Sequence, residues 1–219
     1  MSAPDKGGSN DAPTRPKASA LRRRLRQETA KLHDHLDAQL PLLDPHLSIG
    51  RYRDVLEVFL GFYAPLEANL ARLASSAVSP FGLPLRLRTE LIERDLLALG
   101  ASPRQVAELP RCTDLPRLSC LEDLAGCLYV LEGACLGGQV IAPALQRRLG
   151  LDRDTGASFF IGDAEATPAR WNHVVGWLES LPSAGARIED IVASACATFS
   201  ALIEWVTRRR ASGGTSWQT

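Results

Sequence analysis

The sequence lacks the features that mark several large classes of protein. No apolar run approaches the roughly 18 residues that a membrane-spanning helix needs, and the N-terminus has no apolar core typical of a signal peptide. The sequence has five cysteines, an odd number, and no two of them form a C-x-x-C pair. We therefore expect a cytoplasmic protein with reduced thiols and no membrane contact.

The sequence also lacks a net charge and the motifs of nucleotide-binding proteins. The 25 basic and 25 acidic side chains give a formal charge of zero, so the net basic surface usual in nucleic-acid-binding proteins is absent. The glycine-rich segment near residue 137 follows a helical pattern and has no Gly-Lys-Ser/Thr, which excludes a phosphate-binding loop. No flavin or nicotinamide motif is present, so a redox function would need electrons from outside the chain.

Helical periodicity dominates what remains, and no segment alternates convincingly with a period of two. We predict an all-α fold, a compact single-domain helical bundle over residues 19–210. Residues 1–18 are polar and predict a disordered tail, and residues 211–219 predict a flexible one. Helices are expected to about Pro41, after Ser48, over 84–99, over 103–109, to Leu149, over 167–179 and over 187–210.

Local signals refine these helices. Ser48 predicts the start of the second helix, and Pro65 inside it predicts a kink or an interruption. Ser119 followed by Glu122 predicts a capping box for the long central helix, which Gly150 should end.

Three glycines stand inside the long central helix, at Gly133, Gly137 and Gly138. Each costs about 1 kcal/mol relative to alanine in a helix interior. One interpretation is close packing between helices, where missing side chains let backbones touch. The other is that a flat ligand approaches the helix, which bends over it.

His33 is the histidine whose neighbours suggest metal binding. Asp37 lies four residues later, so its carboxylate can accept the imidazole N–H and leave the other nitrogen for a metal. Arg26 and Arg22 fall within roughly 20° of the same helix face, and Arg26 would lie about 10 Å along the axis. This spacing suits cations that pair with acidic groups of a bound ligand, although a solvated helix end would look similar.

These segments together resemble heme oxygenases. Thr29-x-x-x-His33 is similar to the proximal-histidine segment of that family, and residues 133–139 (Gly-Ala-Cys-Leu-Gly-Gly-Gln) are similar to its distal-helix motif, Gly-Asp-x-x-Gly-Gly-Gln. The string from Tyr129 looks closest to the bacterial branch associated with bacteriophytochromes. Weaker likenesses extend the resemblance over about residues 20–208, at 63–67, 157–160, Trp171 and 197–199.

The resemblance implies that heme is both substrate and prosthetic group, with its iron bound by His33. It implies cleavage of heme to biliverdin, carbon monoxide and ferrous iron, with O2 and electrons from a ferredoxin or reductase. Arg26, Thr29 and Asp37 are then expected at the heme, Gly133, Gly137 and Gly138 at the reacting side, and a bacteriophytochrome as biliverdin acceptor. Arg170 and His173 are candidates for contacts with the propionates.

The sequence departs from the family pattern at Ala134, where many members have an aspartate that organises water. Backbone carbonyls at a glycine kink could hold water instead. A heme carrier without turnover is therefore an alternative. A non-heme enzyme with Cys135 as nucleophile is another, although buried cysteines are mostly small apolar core residues. A helical interaction module would explain the bundle but not the glycines.

Overall fold

The computed structural model describes residues 19–75, 85–163 and 166–212. Within them the chain is helical, with turns and short loops between the helices and no strand. The α-helices are α1 (Ala20–Gln39), α2 (Ile49–Ser75), α3 (Thr89–Ala98), α4 (Pro103–Glu108), α5 (Leu121–Leu149), α6 (Ser158–Ile161), α7 (Thr167–Ser180) and α8 (Ile188–Ala211). Two 3-10 helices, Pro41–Leu43 and Leu181–Ala184, follow α1 and α7. The predicted all-α class is confirmed.

Several helix boundaries arise from the local signals in the sequence. Ser48 accepts the backbone N–H of Arg51 at 3.2 Å at the start of α2. Ser102 and Gln105 form a reciprocal capping box at α4, and Gly150 ends α5 in the left-handed conformation with φ 69°. The end of α1 and both ends of α4 and α7 lie within about two residues of their predicted positions.

Other boundaries differ because distant side chains set them. The start of the third helix was predicted at Pro84, which lies outside the described residues, and residues 85–88 are not helical. The helix begins at Thr89, because the Glu67 carboxylate accepts the backbone N–H groups of Arg88 and Thr89 at 2.7 and 3.0 Å. The capping box predicted for Ser119 and Glu122 is wrong, since Ser119 bonds the carboxylate of Asp123 instead.

Two long helices form the centre of the bundle. α5 packs most extensively against α8, and α8 packs in turn against α1. α2 continues as one helix through Pro65, so the predicted interruption is not found. By length and composition alone α5 and α8 could cross a membrane, but 50% and 56% of their apolar windows are buried inside the fold, as in core helices of globular proteins.

The predicted tails are only partly covered by the structure. Residues 1–18 and 213–219 lie outside the described residues, so the disorder predicted there stays a prediction. Ala211 belongs to the end of α8, one residue beyond the predicted end of the domain, and Ser212 closes the helix by donating to the carbonyl of Arg208.

Candidate functional site

A large cavity of about 540 Å³ lies between α1 and the middle of α5. Its volume falls in the range typical of small-molecule sites, and its walls are mainly apolar. α1 and the following 3-10 helix form one wall and α5 the opposite one, while α2, α6, α7 and α8 close the ends. The wall of α1 contributes Thr29, His33, Leu36, Asp37 and Leu40, and α5 contributes residues 129–131, 133–138, 140 and 141.

His33 lies on the α1 wall with one ring nitrogen already engaged. Its Nδ1 is 3.1 Å from Oδ2 of Asp37, one helical turn further along. The ring also packs edge-on against Phe199 of α8, with centroids 6.0 Å apart. The His33 and Asp37 side chains remain 59% and 64% exposed. A histidine held in this way presents Nε2 as the nitrogen for a metal.

The other predicted residues of α1 take different positions. Thr29 is buried, lines the cavity and donates from its hydroxyl to the carbonyl of Leu25 at 2.7 Å. Arg26 is exposed and lies outside the cavity lining, two turns before His33. Partial burial raises the pKa of the Asp37 carboxyl, and attraction to His33 acts in the opposite direction.

The α5 wall is an uninterrupted helix through its glycines, and none of Gly133, Gly137 and Gly138 has a positive φ. A Cβ added at Gly137 would have Ile141 Cδ1, at 3.7 Å, as its nearest neighbour outside the local helix backbone. A Cβ at Gly133 would meet the Trp171 ring at 3.5 Å, an ordinary contact. At these two positions the helix borders the cavity or a side chain that can adjust.

Gly138 differs from the other two glycines. A Cβ there would lie 2.0 Å from the carbonyl oxygen of Phe160 in α6, a clash with backbone that cannot easily move. Gly138 therefore lets α5 and α6 pack closely, although it also lines the cavity. The two interpretations of the glycines therefore apply at different positions: Gly138 serves packing between α5 and α6, and Gly137 borders open space.

The two candidates on α7 do not contribute cavity-lining side chains. Arg170 is largely buried and makes a forked ion pair with Glu132 of α5, with Nε 2.8 and 2.9 Å from the two carboxylate oxygens. This geometry gives Arg170 a role in fixing α7 to α5, which differs from the predicted propionate contact. His173 is exposed and is not among the lining residues.

Sequence reasoning missed the deep end of the cavity. There Phe59, Tyr63, Phe159 and Phe160 form an aromatic cluster, and the guanidinium carbon of Arg88 lies 4.4 Å from the centroid of the Phe159 ring. Asp95 holds this region by accepting the backbone N–H groups of Ser158 and Phe159 at 2.8 and 2.7 Å. The signal that could have drawn attention to Asp95 is its place on the apolar face of α3, three residues after Ile92 and directly before Leu96.

Comparison with known proteins gives one consistent result. A family model described as "Heme oxygenase" matches residues 19–208. A protein named heme oxygenase from Xanthomonas campestris pv. campestris (strain 8004) is 32% identical over 160 residues, which are 70% of this chain and 87% of that protein.

Solved structures share the fold. Heme oxygenase-1 from the cyanobacterium Synechocystis sp. PCC6803, solved in complex with heme, superposes with a TM-score of 0.68 at 19% identity and covers 90% of this chain and 96% of that one. The heme oxygenase of Leptospira interrogans gives 0.69 at 20% identity, with 87% and 100% covered.

The contrast between Gly137 and Gly138 generates a prediction for a pair of variants. Gly138→Ala places a methyl group against backbone and should destabilise the ligand-free protein by about 1–3 kcal/mol or more. Gly137→Ala should leave stability unchanged or raise it by up to about 1 kcal/mol, because alanine favours a helical backbone of negative φ. The Gly137 methyl enters the cavity, so it should instead weaken hemin binding or breakdown.

The measurements are the thermal melt of the ligand-free variants and a hemin titration followed by reductant. Gly176→Ala serves as the matched control, because Gly176 lies inside α7 but outside the cavity lining, and an added Cβ would meet nothing within 4 Å. A lowered melt for Gly137→Ala with unchanged hemin binding would contradict the assignment of Gly137 to the cavity wall.

Proposed function

The chain belongs to the heme oxygenase family, and from this premise we propose which of its residues bind heme and direct its breakdown. The protein is an enzyme that binds heme and degrades it oxidatively. We propose biliverdin, carbon monoxide and ferrous iron as the products. Heme supplies the iron at which O2 is reduced and the porphyrin ring that is oxidised.

The single observation that carries the residue assignment is the pairing of His33 and Gly137 across one apolar cavity. The Nδ1 of His33 is held by a carboxylate on one wall, and on the α5 wall the residue Gly137 has no side chain. A flat apolar ring with one axial ligand fits between such walls, and a cavity of about 540 Å³ is large enough for a ligand of this class.

Each residue of the cavity then has a distinct role. His33 holds the iron of the substrate through Nε2, and Asp37 fixes the ring orientation and the tautomer of His33. Thr29 is buried one turn before His33 and lines the same cavity, so we assign it to the wall that contacts heme. Gly133 and Gly137 let the α5 wall approach the face of heme opposite His33. Gly138 fixes the position of α5 through its close contact with α6.

Exposed Arg26 is assigned to the propionates. Propionates carry negative charge and stay near solvent, so a cation outside the apolar cavity is suited to meet them. The position of Arg26 on the face of His33, two turns away, supports this assignment. Arg22 lies one turn further along the same face and is exposed as well.

The finer assignments concern partners and location. We propose a ferredoxin or a reductase as electron donor, because the sequence has no flavin or nicotinamide motif of its own. The bacteriophytochrome-associated branch, with a bacteriophytochrome as biliverdin acceptor, and a cytoplasmic location are likewise proposals. They are supported by the likeness of the Tyr129 segment and by five cysteines that all remain free.

One experiment tests the function as a whole. Hemin is added to the protein and the Soret band is followed under air with ferredoxin, ferredoxin reductase and NADPH, and the product is identified by chromatography. Loss of the Soret band with formation of biliverdin is expected, and none should occur without O2. A Soret band that survives reductant under air would indicate a heme carrier instead.

His33→Ala should remove the protein ligand to the iron and with it most turnover. Optical and resonance Raman spectra of the ferric and ferrous hemin complexes report the axial ligand directly. His35→Ala is the matched control, since His35 is exposed on the same helix and about 200° away around its axis. Unchanged axial ligation in His33→Ala would overturn the assignment of the iron ligand.

Asp37→Asn should keep hemin bound but weaken the orientation of His33, because an amide cannot accept the imidazole N–H as strongly as a carboxylate. Losses of about 10- to 100-fold in affinity or activity are typical of such partners. The iron–histidine stretching frequency should also fall. Asp34→Asn is the control on the same helix, and a frequency identical to that of the unaltered protein would make Asp37 a simple surface carboxylate.

Arg26→Glu should weaken hemin binding or change the ratio of biliverdin isomers, because anchored propionates set the rotation of the ring in the cavity. Hemin titration and chromatography of the product measure the two effects. Arg24→Glu is the control, because Arg24 lies on another face and pairs with Glu28 at 3.6 Å. If affinity and isomer ratio are the same in both variants, Arg26 does not contact the propionates.

A further inference from the structure

Arg88 is a buried cation at the deep end of the cavity, with only 6% of its surface exposed. Nη1 donates to the thiol sulfur of Cys135 on α5, and Nη2 donates to the backbone carbonyl of Phe159 on α6. Within the described residues no carboxylate lies at ion-pair distance from its guanidinium. Buried charges are normally paired, whereas the contacts found for this cation are hydrogen bonds to neutral groups and the face of the Phe159 ring.

One nitrogen of this guanidinium, Nε of Arg88, is fully buried and makes no hydrogen bond to any described residue. Beside Arg88 lies a second, small cavity of about 10 Å³, which is roughly the space that one water molecule requires. A cavity of that size, lined by a residue with an unpartnered buried donor, offers a place for one bound water.

The lining of the small cavity is polar enough to hold a water. Tyr63, Glu67, Glu132 and Arg86 border it together with Arg88, and leucine side chains complete it. Both carboxylates are already engaged: Glu67 accepts three hydrogen bonds from the start of α3, and Glu132 pairs with Arg170. Burial raises the pKa of the Tyr63 phenol, so this group stays neutral and can donate.

The small cavity adjoins the heme cavity through shared walls. Tyr63, Arg88, Leu131 and Cys135 line both of them. Ala134 lines the heme cavity but not the small one, and it brings no polar side chain to the α5 wall. Of the residues that line both cavities, Arg88 is the one that carries a charge.

We propose that Arg88 holds one water on its Nε in the small cavity, and that Arg88 with this water supplies the polar group that Ala134 lacks at the reacting face of heme. The inference rests on the proposed placement of heme between His33 and α5. A fixed guanidinium with a tethered water orients hydrogen bonds toward the cavity and favours negative charge on a ligand bound there. Arg88 is thus a positioning residue for the known reaction.

The water is tested first, on the heme-free protein, so that this result does not depend on the function. A high-resolution crystal structure should show an ordered water within hydrogen-bond distance of Arg88 Nε. Leu70→Phe places bulk in the same cavity without entering the heme cavity, and should displace that water. Absence of the water in the unaltered protein would overturn the proposal.

The charge is tested on the ferric hemin complex with two added ligands, the azide anion and neutral imidazole. Arg88→Met should lower azide affinity by about tenfold, an effect of the size seen for groups around a metal site, while imidazole affinity is retained. Arg88→Lys keeps the charge and should restore much of the azide affinity. Thermal melts of the heme-free variants separate this effect from misfolding.

Arg53→Met is the matched control, because it removes the same charge from a side chain on α2 that lines neither cavity and pairs with Glu57 at 3.1 Å. An azide-to-imidazole ratio that is the same in Arg88→Met, Arg53→Met and the unaltered protein would overturn the proposal. Failure of the unaltered protein to bind hemin through His33 would instead overturn the proposed function, and the crystal structure would still decide on the water.

Discussion

The close approach of α5 to its neighbours is the constraint on which the rest of the structure depends. A Cβ at Gly126 would lie 2.4 Å from the Ile191 carbonyl of α8, and one at Gly138 would lie 2.0 Å from the Phe160 carbonyl of α6. At both points helix backbone meets backbone, which only glycine allows. These contacts fix the position and rotation of α5 relative to α6 and α8. As a result Gly137, one residue before Gly138, borders the cavity.

The wall built by α5 is held by buried polar groups as well as by packing. Asp95 binds two N–H groups of α6, Arg88 joins α5 to α6, and Arg170 joins α5 to α7. Removing one partner from such a buried group leaves an unsatisfied donor or acceptor that costs about 1–3 kcal/mol. The opposite wall is different, because His33 and Asp37 stand exposed on α1. One wall of the cavity is therefore held by buried polar contacts, whereas on the other wall an exposed carboxylate and the edge of the Phe199 ring orient His33.

The sequence was sufficient wherever a signal and its effect lie within a few turns of helix. Periodicity predicted the α-helices other than the four-residue α6, Ser48 and Gly150 predicted boundaries, and the spacing of His33 and Asp37 predicted their contact. It was insufficient where the partner is distant: the start of α3 depends on Glu67, and the role of Gly138 depends on Phe160. Arg88 drew no attention, because a single arginine before a helix looks like surface until the fold buries it.

The exposure of His33 has a consequence for the proposed reaction. Heme would cover this side chain and complete the apolar cavity, so a bound ligand stabilises the fold by about 2.7 kcal/mol at a hundred times its dissociation constant. On the proposed chemistry the iron departs as a product, and the bond to His33 is then lost. On this proposal the remaining tetrapyrrole would be held only by the apolar walls and by cations at the rim. The His33–iron bond would then be the contact with the substrate that the reaction itself removes, which would favour release of the product over rebinding.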